Sequence, residues 1–119
     1  MLVWNEYEFI ECLGVIPKVE EYETAHFFKV SKDGLRLELS VFQYDGDVYF
    51  DLYREGIESP VLQVRLLNCA GARYVSHKNG REMLEFAPAK SFGSRYDGVS
   101  PLPYGIRVAV TPHISIELF

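Results

Sequence analysis

Leu35-Arg36-Leu37-Glu38-Leu39-Ser40-Val41, bracketed by Asp33-Gly34 and Asp45-Gly46, decides the fold. Its leucines and valine fall on every second position, the period of a strand with one buried face, while Arg36, Glu38 and Ser40 take the other face. Asp-Gly is a favoured centre for a two-residue hairpin turn, because both positions need positive φ. Each turn then sets a register. Around Asp33-Gly34, Val30 falls opposite Leu37, Phe28 opposite Leu39 and Lys29 opposite Glu38. Around Asp45-Gly46, Val41 falls opposite Phe50, Leu39 opposite Leu52 and Arg36 opposite Glu55. Both registers gather the large apolar residues on one side and pair opposite charges on the other.

Working outward, the period is two from about residue 24 to residue 119. A run from Val61 to Leu67 is followed by a tight Asn68-Cys69-Ala70-Gly71 connection. A third hairpin at Asn79-Gly80 is expected to pair Val75 with Leu84 and His77 with Glu82. Ile106, Val108, Val110, Ile114, Ile116 and Leu118 share one parity, broken by Pro112, which removes a ladder donor and implies an edge or a bend. The meander, the Val61–Leu67 run and the third hairpin make about six strands, and this last segment ends the chain in a strand. Before them, Asn5 suits a helix N-cap with Glu8 at N3, Trp4 and Phe9 form a hydrophobic staple, and Gly14 takes the C′ site. Phe9, Ile10, Cys12 and Leu13 make its apolar stripe. The expectation is a mainly β chain, with a margin for α+β. A single domain spans residues 1 to 119, with one short helix over about 5 to 13 and an antiparallel meander forming a β-sandwich or a strongly curved sheet.

At 119 residues the chain is long enough for one core and too short for two. Its start carries no basic stretch ahead of a long apolar run, and no window nears the roughly 20 apolar residues of a membrane span, so a cytoplasmic protein is expected. Cys12 and Cys69 stand far apart in no metal or redox spacing, which reads as two reduced, buried thiols; a bridge stays open for an exported chain.

The net charge of −5 is uneven. Residues 1 to 23 hold six acids (Glu6, Glu8, Glu11, Glu20, Glu21, Glu23) against Lys18, and the remainder is balanced. Glu6 and Glu8 lie in the first helical turn, where the helix dipole favours them. An acidic surface repels phosphate, which argues against nucleic acid. It invites a basic protein instead.

Phe27, Phe42, Tyr49 and Tyr53 fall on the outer face of the meander among Lys29, Arg36, Glu38, Ser40, Asp51 and Glu55, a mixture of rings and charge typical of contact surfaces. Glu20, Glu21, Glu23, Phe42, Tyr49, Asp51 and Tyr53 are therefore the candidate partner-binding residues. The first expectation is a non-catalytic interaction module, and an immunity- or inhibitor-type protein that blocks a cationic toxin or nuclease suits this charge. Residues 90 to 105 form a long aperiodic connection, so a small-ligand site there, carried by Arg95, Tyr96, Asp97 and Tyr104, is the alternative. An enzyme with a dispersed site, tested first at His26, His77, Asp97 or Cys69, ranks third. No histidines stand at metal-ligand spacing, and Asp45-Gly46-Asp47 lacks the later ligands of a calcium loop, so no metal or cofactor is expected. The open C-terminal strand makes a homodimer by edge pairing conceivable.

Overall fold

The computed structural model describes residues 1–76, 79–89 and 96–119. Among the described residues the chain is mainly β, with 47% in strands, two antiparallel sheets and one short helix, consistent with a sandwich-like fold. The helix, α1 (Glu6–Leu13), comes first. It is followed by β1 (Lys18–Val19), a 3-10 turn (Glu21–Glu23), β2 (His26–Lys32), β3 (Leu35–Phe42), β4 (Asp47–Arg54) and β5 (Leu62–Leu66). These five strands make one sheet in sequence order. The other sheet runs β6 (Ala72–Ser76), β7 (Glu82–Phe86), β8 (Ile106–Ala109) and β9 (Ser115–Leu118), also in order. The sequence predicts fewer strands because it misses short β1 and treats the two sides of Pro112 as one segment.

The first hairpin register is as expected, with Val30 opposite Leu37 and Phe28 opposite Leu39. Asp33 (φ 53°) and Gly34 (φ 78°) both take the left-handed conformation that a two-residue turn demands. The second register differs by two residues: Val41 faces Val48, Leu39 faces Phe50 and Arg36 faces Tyr53 rather than Glu55. Of Asp45 and Gly46, only the glycine has positive φ. The loop therefore widens to residues 43–46, closed by the Gly46 N–H donating to the Phe42 carbonyl at 2.8 Å. A shift of two keeps every side chain on its face, so the inward set survives while the cross-strand charge pairing does not. Glu38 now stands opposite Asp51.

The third hairpin shifts by one, with Val75 opposite Met83 and Tyr74 opposite Leu84. Of Asn79 and Gly80, only the glycine has positive φ, and the Asn79 side chain accepts from the Arg81 N–H at 3.0 Å, so Asn79-Gly80 is not a two-residue turn. Tyr74, not Val75, packs against the core. The pairing expected for His77 lies outside the described residues. Pro112 marks a bend, since the chain reverses between β8 and β9.

The helix forms as its caps require. Asn5 accepts from the Tyr7 N–H at 2.9 Å, and Gly14 (φ 73°) donates to the Ile10 carbonyl. Glu8 does not close a capping box; its carboxylate accepts from the Tyr74 N–H of β6 at 2.8 Å and ties the helix to the second sheet. Phe9, fully buried, meets Trp4 at 4.8 Å, Phe28 of β2 at 5.6 Å and Phe86 of β7 at 5.6 Å, and Phe86 meets Phe50 of β4 edge-on at 4.9 Å. One helical side chain thus touches rings from both sheets.

A seam beside the helix joins the sheets. Leu2 donates to the Gln43 carbonyl, Ala72 to Val3, Ala87 to Gly71 and Cys69 to Gly46. Cys12 and Cys69 are both buried and unbridged. Removing the Phe9 ring should cost about 3–5 kcal/mol and removing the Asn5 cap about 1 kcal/mol. Urea unfolding of Phe9→Ala and Asn5→Ala is expected to show those losses as lowered midpoints in that order.

Candidate functional site

Alternation places one face of β2, β3 and β4 in the core and the other toward solvent. Phe28, Val30, Leu37, Leu39, Val41, Val48 and Phe50 are buried, which turns Phe27, Phe42, Tyr49 and Tyr53 outward. These four rings are half-buried against their own neighbours. Phe42 lies 6.2 Å from Phe27 and 4.9 Å from Tyr49. The Arg65 guanidinium sits 4.4 Å above Tyr49, and that of Arg36 sits 4.3 Å above Tyr53. Helix α1 packs against β6 and β7 instead of over these rings.

Asp51 is engaged within the chain. Its carboxylate accepts from Arg65 at 2.9 Å and from Gln63 at 3.3 Å, which holds Arg65 over Tyr49. The Tyr53 hydroxyl is raised above its ordinary pKa, first by desolvation and then by Glu38 and Asp51.

Glu20, Glu21 and Glu23 are exposed and pair with no base among the described residues. Glu6, by contrast, lies 3.7 Å from His26, and Glu8 is held by β6. Tyr22, in the middle of the acidic turn, is 81% exposed, and its carbonyl accepts from the Tyr44 hydroxyl at 3.2 Å. Tyr44 belongs to the β3–β4 turn beside Phe42. The acidic turn and the ring-bearing face are therefore one continuous surface. Sequence reasoning overlooked Tyr22 and Tyr44 because neither belongs to a strand parity; the signal available was a tyrosine set among three glutamates.

The connection proposed for a ligand reads differently. Arg95 lies outside the described residues. The Tyr96 ring packs so closely on Gly71 that a Cβ there would run into it, and burial raises its hydroxyl pKa. Asp97 closes a turn by accepting from the Ser100 hydroxyl and the Val99 and Ser100 N–H groups. Tyr104 is 42% exposed. A hollow of about 460 Å³ does lie between α1 and this segment, lined by Trp4, Glu8, Arg73, Tyr74 and Tyr96.

His77 lies outside the described residues, and the other groups considered for catalysis are tied into the fold. His26 is 2% exposed, more deeply buried than its strand-end position suggests, with its ring edge-on to Trp4. The Cys69 thiol donates to the Gly71 and Ala87 carbonyls, and burial, with Glu82 and Glu11, pushes the Cys12 thiol up to about 12. His113 and Asp33 do meet at 3.1 Å, but both are open to solvent, and the pair joins the turn of one sheet to the turn of the other. Among the described residues, no three of His, Cys, Asp and Glu are grouped to hold a metal ion, and no helix is long and apolar enough to cross a membrane.

The sequence matches no family model and none of the curated proteins. Its fold is similar to a chain of a contact-dependent growth inhibition toxin–immunity protein complex from Klebsiella pneumoniae 342. The TM-score is 0.76 over 99% of this chain and 96% of that one, at 12% sequence identity. At that identity the likeness is one of fold.

The Asp97 turn carries a pH signature. Hydrogen bonds from Ser100 and Val99 hold its carboxyl down to about 2. A carboxyl depressed in the folded state contributes above its unfolded value, and that contribution fades as pH falls through the folded one. A carbon-13 carboxyl titration should place Asp97 near pH 2, and Ser100→Ala should move its midpoint upward.

Proposed function

We propose that this chain is a non-catalytic, immunity-type protein that binds a basic protein toxin through the surface formed by the acidic turn and the outer face of the five-stranded sheet. The observation that carries this reading is the continuity between three exposed glutamates, paired with no base among the described residues, and a row of half-buried, outward-facing aromatic rings. The charges suit the encounter, since like-signed carboxylates steer a cationic partner over distances of a Debye length. The rings suit the hold, because aromatic side chains at a desolvated centre supply most of the energy of such interfaces. Glu20, Glu21 and Glu23, with Tyr22 beside them, are the steering set. Phe42, Tyr44, Tyr49 and Tyr53 are the holding set, and Asp51 acts by positioning Arg65.

The fold likeness to a chain of a toxin–immunity complex supports the same assignment. Of the two roles in such a complex, the neutralising one fits a chain of net charge −5 whose free carboxylates lie on its surface. A cytoplasmic location goes with this role. The ligand-loop alternative is the weaker reading, because Tyr96 and Asp97 are occupied by packing and turn formation.

The test begins with capture by the tagged protein, identification of the captured chain, and stopped-flow association with that purified chain at two salt concentrations. A basic partner is expected. Reversal of Glu20, Glu21 and Glu23 to lysine should lower the association rate about tenfold or more at low salt, with little change at high salt. Tyr49→Ala and Tyr53→Ala should instead speed dissociation. Association indifferent to both salt and charge reversal would remove the proposal.

A further inference from the structure

On the outer face of the four-stranded sheet the charges alternate from strand to strand. Arg73 of β6 stands opposite Glu85 of β7, Glu85 opposite Arg107 of β8, and Arg107 opposite Glu117 of β9. Neighbouring groups lie 3.3, 2.8 and 3.8 Å apart in that order. Glu85, only 3% exposed, has a guanidinium on either side, and such pairing offsets the cost of burying a carboxylate. Glu117 is 48% exposed and has a described base on one side alone.

Among the described residues β9 is the last strand of its sheet. Gly105 and Phe119 exchange both backbone hydrogen bonds, at 2.9 and 3.1 Å. An antiparallel ladder alternates bonded and non-bonded pairs, so Arg107–Glu117 and Ala109–Ser115 are bonded in the same way. Ile116 and Leu118 must then turn their N–H and C=O groups to the open edge. Leu118 is on the core-facing parity, opposite buried Ile106, yet it is 74% exposed.

We propose that β9 is a docking edge for an extended strand of a basic partner, added antiparallel with a lysine or arginine opposite Glu117 and apolar residues opposite Ile116 and Leu118. This rests on the reading that the partner is a basic protein, and it adds a second point of attachment. The incoming backbone bonds to Ile116 and Leu118, which is how an exposed sheet edge recognises an extended segment. The new base and Glu117 then form a non-bonded pair, where facing side chains stand closest, and the alternation of sign gains a fifth member. The apolar neighbours cover Leu118. A second copy of this strand is a poorer occupant, since Ser115-Ile116-Glu117-Leu118 holds no lysine or arginine to face Glu117.

The test uses the whole protein and a short fluorescent peptide with a valine-lysine-valine centre. Binding is expected, with slowed amide exchange at Ile116 and Leu118. Glu117→Lys should weaken it about fivefold or more, and a valine-glutamate-valine peptide should recover binding to that variant. Methylation of the peptide's valine nitrogens should abolish it. A peptide that leaves those amides unprotected, or binds regardless of the charge swap, would overturn the proposal. So would protection of the same amides that rises with protein concentration alone, which assigns the edge to a second copy. At high salt, where long-range steering is screened, reversal of Glu20, Glu21 and Glu23 is expected to leave peptide binding unchanged, so failure here and failure of the acidic-face reading show in different measurements.

Discussion

The rest of the structure depends on the packing of one helical phenylalanine between two sheets. Phe9 meets Phe28 from the five-stranded sheet and Phe86 from the four-stranded sheet, while Phe86 continues the contact to Phe50. The Phe9–Phe86 and Phe86–Phe50 contacts are edge-to-face and fix orientation as well as distance, because the positive edge of one ring must address the negative face of the next. That geometry tells the two sheets how to face each other. It also explains a complete cap at both ends of an eight-residue helix, since a helix so short is not stable alone and must be delivered to its site by its ends.

The same packing exposes the outer surface. With the inward residues of β2, β3 and β4 committed to the core, the opposite parity has to face outward, and the rings at Phe27, Phe42, Tyr49 and Tyr53 go with it. Arginine stacking and the Asp51–Arg65 pair then order that surface in advance. A surface ordered before binding loses less side-chain freedom on association. The acidic turn adds three exposed carboxylates beside a face that is otherwise locally balanced in charge.

Local rules were reliable where one rule acted alone. Asp33-Gly34, both left-handed, gives the register its sequence demands, and Asn5 and Gly14 end the helix where their chemistry says. Asp45-Gly46 misled because the adjacent turn is also held from outside: Gln43 bonds to Leu2 and Trp4, and Gly46 to Cys69. Those contacts come from distant parts of the chain and favour a longer loop. Glu8 illustrates the same override, since a carboxylate placed well for a capping box is drawn off by a strand amide 66 residues away.

The sequence by itself determined which residues of the meander face inward, where the helix begins and ends, and that the surplus of negative charge lies near the N-terminus. Periodicity, cap chemistry and the sign of a side chain are properties of neighbouring residues, so they are legible without coordinates. Only the tertiary structure decided that Tyr22 and Tyr44 bring the acidic turn to the aromatic face, that Tyr96 and Asp97 serve the fold, and that four charged residues line up across a second sheet. Each of these is a meeting of segments far apart in the chain, and such meetings follow from how the two sheets pack rather than from any local pattern.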